Sequence, residues 1–186
     1  MLLTDKLLAS TIIKLVPRRV APNQVTTLRF LLVPVVFYLL FYQQYAWGLI
    51  IFALAAFTDA LDGAMARTRD QITEWGKLFD PLADKLLVGV AAAILVTRFV
   101  SFYLALAIIL VELMIILSAY YKKIHGAVGI QANSIGKTKM VLQSLGLLTL
   151  LIYVLYPHAL LLNGAELLLY LGFVFALFSL FIYRAI

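Results

Sequence analysis

Four aspartates stand at helical spacing inside segments that are otherwise apolar. Asp59 and Asp62 are three residues apart, and Asp80 and Asp84 are four apart. Residues at these spacings share one face of a helix, so each pair presents its two carboxylates together. A carboxylate at the centre of a bilayer costs about 2.5–3.5 kcal/mol, which favours a neutralising partner. Because oxygen ligands suit hard divalent cations, we expect the four aspartates to bind divalent metal, which could be Mg²⁺, Mn²⁺ or Ca²⁺.

An ordinary structural explanation of the same acids stays open. Arg67 and Lys85 could each pair with one aspartate, which leaves two of the four acids without a fixed cation. Gly63 and Ala66 continue the face of the first pair with almost no side-chain bulk. That lack of bulk allows either a nucleotide to lie against the helix or a neighbouring helix to pack closely. The excess of acids over cations favours the metal site.

The elements that would position these acids are membrane helices. Hydrophobic residues make up 65% of the 186-residue chain, against about 45–50% in soluble domains. A span needs about 20 mainly apolar residues, and six segments provide this: 25–43, 47–67, 77–97, 101–121, 138–157 and 164–183. Residues 1–20 predict an amphipathic helix lying in the membrane interface. We therefore predict an all-α integral membrane protein with a single domain, in which residues 22–186 form the six-helix part.

Basic residues are concentrated in alternate loops of this topology. They are Lys6, Lys14, Arg18, Arg19, Arg29, Arg67, Arg69, Lys77, Lys122, Lys123, Lys137, Lys139 and Arg184. The opposite loops contain only Arg98 and His158. The positive-inside rule therefore places both termini and the aspartates on the cytoplasmic side of the cell's inner membrane. We assign the net charge of +6 to lipid headgroups, and we expect no nucleic-acid partner.

The spacing of the acids resembles a known family signature. The pattern is Asp59-x2-Asp62-Gly63-x2-Ala66-Arg67-x8-Gly76-x3-Asp80-x3-Asp84. It resembles that of the CDP-alcohol phosphatidyltransferases at every fixed position and in both gap lengths. The resemblance implies that the first three aspartates bind metal and the CDP diphosphate, and that Asp84 contacts metal and acts as the general base. The further residues that it places around the CDP-lipid are Gly63, Ala66, Arg67 and Gly76. It also implies a homodimer.

A second, shorter element precedes the first span. Asn23, Thr26 and Arg29 follow Pro22, and this segment resembles the one before the first span of the family. The resemblance implies that the three side chains reach the CDP-lipid. The alternative is local: Pro22 ends the interfacial helix and Asn23 caps the first span, while Arg29 extends its charge toward the interface.

Two stretches bear on the acceptor alcohol. The stretch 79–85 resembles that of phosphatidylglycerophosphate synthases and related cardiolipin synthases, which implies glycerol 3-phosphate first and phosphatidylglycerol second. The start of the fifth span resembles glycerophosphate-using members, and we expect Lys137 and Lys139 to bind the acceptor phosphate. The positive-inside rule explains these two lysines equally well.

One position departs from the pattern of glycerophosphate-using members. They commonly carry an Arg-Glu pair in the fourth span, where this chain has Val111 and Glu112. The missing arginine slightly favours a neutral or a lipid acceptor. We expect Glu112 to be a buried acid of the acceptor site, with Lys85 or a substrate hydroxyl as its partner.

The sequence therefore predicts an enzyme that transfers a phosphatidyl group from CDP-diacylglycerol to glycerol 3-phosphate and releases CMP. A cation transporter is the alternative from another functional class, because six spans with buried acids could also conduct ions. Transporters often show broken helices or inverted repeats, and neither signal is present here. A purely structural membrane scaffold explains the acids least well. Release of CMP in the presence of Mg²⁺ or Mn²⁺ separates the enzyme from both.

Overall fold

A computed structural model describes residues 22–68, 74–124 and 134–185 of the chain. Apart from short connections at 42–44, 100–101 and 156–158, these ranges are helical and contain no β-strand. The long helices are α1 Pro22–Phe41, α2 Tyr45–Thr68, α3 Glu74–Ala91, α4 Phe102–Ile124, α5 Ser134–Leu155 and α6 Ala159–Ala185. Side chains at 22, 59–64, 66–68, 74–78, 80–81, 119, 122–123, 134 and 182–185 lie outside this description. The predicted interfacial helix over 1–20 also lies outside the described residues.

Three helices are long and apolar enough to cross a membrane. Their spans are Asn23–Phe41, Ile135–Leu155 and Ala159–Phe181. Two shorter apolar stretches, Tyr45–Thr58 and Phe102–Ser118, lie in α2 and α4. The predicted all-α class is confirmed for the described part of the chain. The number of six spans stays a prediction.

The first helix begins two residues earlier than capping by Asn23 would require. Pro22 is its first residue, a position where proline is favoured because its fixed φ suits the helix and its missing N–H is not needed. At the other end, Gln43 has a φ of 61°. The Gln44 amide donates to the Leu39 carbonyl at 2.7 Å, and the Gln43 amide to the Leu40 carbonyl at 3.2 Å. This is a Schellman motif, and it turns the chain directly into α2.

Helix α3 is the central element of the bundle. It contacts α1, α2, α4 and α5, and it continues through a π-helical turn, Ala92–Val96, and a last turn, Thr97–Phe99. Small and apolar side chains, among them Ala91, Ala92 and Leu95, are fully buried around this turn. Helices α5 and α6 pack along each other, and α4 packs on α6. The central position of α3 means that its polar side chains can meet those of several other helices.

Short connections make consecutive helices antiparallel, so alternate helix ends meet on one side. We call the side with the start of α1, α3 and α5 the polar end, because the buried charged residues lie toward it. The opposite end carries exposed aromatic side chains: Tyr38, Phe41, Tyr42, Trp47, Tyr103 and Tyr156. Aromatic rings of this kind are enriched where a bilayer meets water. The bundle therefore has the two chemically different ends that a membrane protein needs.

Candidate functional site

The centre of the polar end is an ion pair between α1 and α3. The guanidinium Nη1 of Arg29 donates to Oδ1 of Asp84 at 2.5 Å. Arg29 is completely buried, and Asp84 is 8% exposed. Each of these charges would be expensive to bury alone, and each compensates the other. The pair therefore fixes the orientation of the Asp84 carboxylate, the predicted general base.

Thr58 connects this pair to α2. Its hydroxyl accepts a hydrogen bond from Nε of Arg29 at 3.3 Å and donates to the Ala55 carbonyl at 2.6 Å. Thr58 directly precedes Asp59 in the chain. Three helices thus meet through polar side chains where α2 enters its last turns. Sequence reasoning did not single out Thr58, although its place next to the motif was a usable signal.

The remaining predicted metal ligands lie on the same two helices. Asp59 and Asp62 belong to the last turns of α2, and Asp80 lies one turn before Asp84 on α3. Helices α2 and α3 contact each other, so the backbone brings both motif segments to the polar end. The side chains of these three aspartates lie outside the described residues, as do those of Ala66 and Arg67 and the surroundings of Gly63 and Gly76. The metal site stays a prediction, with a donor set of carboxylate oxygens that suits Mg²⁺ or Mn²⁺.

A second buried ion pair joins α4 to α5. Nζ of Lys139 lies 2.6 Å from Oε1 of Glu112 and donates to Oε2 at 2.8 Å. The two residues are 3% and 5% exposed. The partner of Glu112 is therefore Lys139, and the predicted pairing with Lys85 is wrong, because Lys139 of α5 reaches both carboxylate oxygens. Two of the three predicted acceptor residues thus satisfy each other's charge.

Lys85 lies between the two ion pairs. It is half-buried on α3, directly after Asp84, and the charges that act on it are those of Lys139, Glu112 and Asp84. Among the described side chains it makes no hydrogen bond or ion pair. Five charged residues from α1, α3, α4 and α5 therefore form one buried polar layer at the polar end.

The other predicted contacts differ in exposure. Thr26 is buried one turn before Arg29, and Asn23 is half-buried. Lys137 is exposed in the first turn of α5. Gln143, one turn after Lys139, is 1% exposed, and its Nε2 has no hydrogen-bond partner in the described part of the structure. The sequence analysis missed Gln143, although a glutamine four residues after Lys139 in an apolar helix was a signal.

The missing arginine before Glu112 has a packing explanation. Val111 is buried in a small apolar cluster with Ile115 of α4 and Ala176 and Leu180 of α6. Consecutive helical residues point about 100° apart, so Val111 faces α6 while Glu112 faces Lys139. A charged side chain at position 111 would enter this apolar contact.

Comparison with known proteins supports the resemblance seen in the motif. The family model described as CDP-alcohol phosphatidyltransferase matches residues 19–179. A relative from Pseudomonas fluorescens, named CDP-diacylglycerol--glycerol-3-phosphate 3-phosphatidyltransferase, is 45% identical over 103 residues, which cover 53% of this chain and 52% of the relative. A relative of the same name from Sodalis glossinidius is 36% identical over 138 residues, which cover 70% of this chain and 75% of the relative.

A third relative of this name, from Salmonella typhi, is 33% identical over 138 residues, with 70% of this chain and 75% of the relative covered. The chain spans about half the length of the Pseudomonas relative that it matches. The family match, in contrast, runs from before α1 into the last turns of α6 and includes both motif helices and both buried ion pairs. The chain is therefore a member of the CDP-alcohol phosphatidyltransferase family.

Proposed function

We propose that this protein transfers a phosphatidyl group from CDP-diacylglycerol to glycerol 3-phosphate and releases CMP. The observation that carries the proposal is the family match over residues 19–179, which contains the complete carboxylate motif. The choice of acceptor is supported by the printed names of the relatives from Pseudomonas, Sodalis and Salmonella.

The chemistry asks the protein for positioning and charge neutralisation more than for covalent catalysis. The acceptor hydroxyl oxygen forms a bond to the phosphatidyl phosphorus, and the bond from that phosphorus to the CMP oxygen breaks. The hydroxyl proton passes to the carboxylate of Asp84, and CMP leaves with the electron pair. A base must stand close to the attacking hydroxyl, and the buried contact with Arg29 supports this role by holding the carboxylate in one orientation.

Divalent metal belongs to the proposal on the chemistry of the donor set. Asp59, Asp62, Asp80 and Asp84 would hold two Mg²⁺ or Mn²⁺ ions, which supply charge neutralisation at the diphosphate. Residues proposed to bind the CDP-lipid are Asn23, Thr26, Arg29, Asp62, Gly63, Ala66, Arg67 and Gly76. Arg29 would then contact both the diphosphate of the CDP-lipid and the carboxylate of Asp84.

We propose that Lys137 contacts the phosphate of the acceptor alcohol when this substrate arrives from the cytoplasm. The exposed position of this residue at the start of α5 supports such a role. The ion pair of Glu112 and Lys139 would line the acceptor site on the buried side of Lys137. Phosphatidylglycerol, as in a cardiolipin synthase, is the second candidate acceptor. The absence of the Arg-Glu pair at Val111 and Glu112 is the sequence feature that favours it.

We further propose that the protein works as a homodimer in the inner membrane, with six spans, an interfacial helix over 1–20 and both termini in the cytoplasm. The concentration of basic residues in the loops at the end with the buried charges supports this orientation. The charged end would face the cytoplasm, where CDP-lipid and glycerol 3-phosphate meet.

The test is an acceptor screen with the purified protein in detergent. CMP release from CDP-diacylglycerol is measured with Mg²⁺ or Mn²⁺ and with glycerol 3-phosphate, phosphatidylglycerol or no acceptor, and the lipid product is identified by mass. We expect phosphatidylglycerophosphate, and no CMP after the metal is chelated. CMP release with phosphatidylglycerol alone would assign the second candidate, and no CMP release with any acceptor would contradict the proposed reaction class.

A further inference from the structure

Two ion pairs account for four of the five charged side chains that the structure describes in the buried layer of the polar end. Arg29 is paired with Asp84, and Lys139 with Glu112. Lys85 is the fifth charge of this layer, and it makes no ion pair within the described residues. Lys85, directly after the predicted base, is therefore the described cation of this layer that stands outside both ion pairs. An uncompensated charge at a half-buried position is expensive to keep, which makes it a candidate for binding a substrate anion.

The position of Lys85 separates it from the CDP-lipid side of Asp84. Consecutive residues of a helix point about 100° apart, so Asp84 faces Arg29 of α1 while Lys85 turns toward α4 and α5. The charges of Glu112 and Lys139, which lie on those two helices, act on Lys85. One turn further along this face, a Cβ built at Gly89 would meet no atom within 4 Å. The face of α3 that carries Lys85 is accordingly open at Gly89.

The other cations are less suited to a phosphate at this depth. Lys139 is 3% exposed and held by both oxygens of Glu112. Lys137 is exposed, where water and salt screen its charge. Position 111 contributes no charge, because Val111 packs against α6. A phosphate monoester carries almost two negative charges near neutral pH, and the ammonium group of Lys85 can supply both charge and hydrogen-bond donors.

We propose that Lys85 is the specificity-determining residue that binds the phosphate of the acceptor. The ion pair of Glu112 and Lys139 leaves its charge available, and its place next to Asp84 brings the acceptor hydroxyl to the base. This inference rests on the proposed function, since it requires a phosphorylated acceptor. In this assignment Lys85 binds the acceptor phosphate in the site. Lys137 attracts the acceptor anion electrostatically as it approaches.

The experiment compares Lys85→Met, Lys85→Arg and the wild type in the CMP-release assay. Methionine keeps the length and apolar stem of the side chain and removes the charge. We expect Lys85→Met to raise the KM for glycerol 3-phosphate by about tenfold to a hundredfold, as the loss of a charge-assisted hydrogen bond predicts. The KM for CDP-diacylglycerol should change less than twofold. Lys85→Arg should recover most of the acceptor affinity. Arg98→Met, which removes a positive charge at the opposite end, is the matched control and should leave both KM values unchanged.

A second measurement on the wild type needs no variant. An amine-reactive reagent is applied with and without glycerol 3-phosphate, and modification of each lysine is followed by mass spectrometry. We expect the acceptor to protect Lys85 more than Lys137. Equal labelling of Lys85 with and without the acceptor, or an unchanged acceptor KM in Lys85→Met, would overturn the assignment. Turnover of the wild type with glycerol 3-phosphate tests the proposed function independently of Lys85. Failure of the Lys85 assignment can therefore be distinguished from failure of the proposed function.

Discussion

At the scale of single residues, each ion pair joins two residues that are distant in the chain. Arg29 and Asp84 are 55 residues apart, and Glu112 and Lys139 are 27 apart. Breaking a buried pair by removing one member typically costs about 3–5 kcal/mol, because the other charge stays buried without compensation. Replacing both members by apolar residues is often nearly neutral. This asymmetry allows the structural and catalytic roles of Asp84 to be separated.

We expect Arg29→Leu and Asp84→Leu each to lower the free energy of unfolding by about 3 kcal/mol or more. The double variant should be more stable than either single variant, since neither member of the pair is then buried without the other. All three variants should be inactive, because the base or its orientation is lost. Denaturant titration in mixed micelles, together with CMP release, gives both quantities. A double variant whose destabilisation equals the sum of the two single effects would mean that the pair is not coupled.

The second pair offers a comparison within one helix. Lys139 is buried against Glu112, whereas Lys137, two residues earlier on α5, is exposed. Lys139→Met should lower the free energy of unfolding by about 3 kcal/mol, and Lys137→Met should change it by less than about 0.5 kcal/mol. The same denaturant titration measures both. Equal effects of the two substitutions would show that the contact with Glu112 does not stabilise the fold.

At the scale of elements, α5 and α6 approach each other through glycines. A Cβ built at Gly172 would stand 2.8 Å from Cγ of Gln143 and 3.2 Å from its backbone nitrogen. A Cβ at Gly146 would stand 2.9 Å from Cγ of Leu169. The first contact includes backbone, which cannot move aside, while the second involves a side chain. Small residues that let helix backbones come close are a common packing device in membrane proteins.

We expect Gly172→Ala to push α6 away from α5 and to destabilise the protein by about 1–3 kcal/mol, as overpacking usually does. Gly164→Ala on the same helix is the matched control, because no atom lies within 4 Å of its Cβ position. That substitution should be neutral or stabilising by up to about 1 kcal/mol, since alanine favours a helix over glycine. Thermal unfolding in detergent ranks the two variants. The reverse ranking would contradict the close contact at Gly172.

At the scale of the whole molecule, the two ends differ in chemistry. The buried charges lie toward one end, and exposed tyrosines and a tryptophan surround the other. The connections at the end opposite to the polar end are short: 42–44, 100–101 and 156–158. Membrane insertion of such a bundle should place the polar end, with its basic loops, in the cytoplasm.

The absence of cysteine allows a direct test of this orientation. Single cysteines are introduced at Tyr121, which is exposed near the end of α4, and at Gln44, which is exposed between α1 and α2. In intact spheroplasts, a membrane-impermeant maleimide should label Gln44→Cys and spare Tyr121→Cys, and in inverted vesicles the result should be reversed. The unmodified protein is the blank. Labelling of both sites from one side would contradict an odd number of crossings between them.

The helices and the family were predictable because their signals are local. Hydrophobic spans mark the helices, and the fixed spacing from Asp59 to Asp84 marks the family, which the match over 19–179 confirms. Pro22 also lies at the predicted boundary, although it begins α1 instead of preceding its cap. The partner of Glu112 was not predictable, because several cations were within reach in sequence and only the arrangement of α4 and α5 in the bundle selects Lys139.

The amino-acid sequence by itself determined that this is a helical membrane protein of the CDP-alcohol phosphatidyltransferase family, with its acids at regular positions on two neighbouring helices. Periodicity and spacing are properties of one segment, so they can be interpreted without a fold. The tertiary structure decided which charges compensate each other: Arg29 with Asp84 and Lys139 with Glu112, with Lys85 left between them. Such pairing depends on distances between helices that are far apart in the chain, and those distances exist only after the bundle has packed.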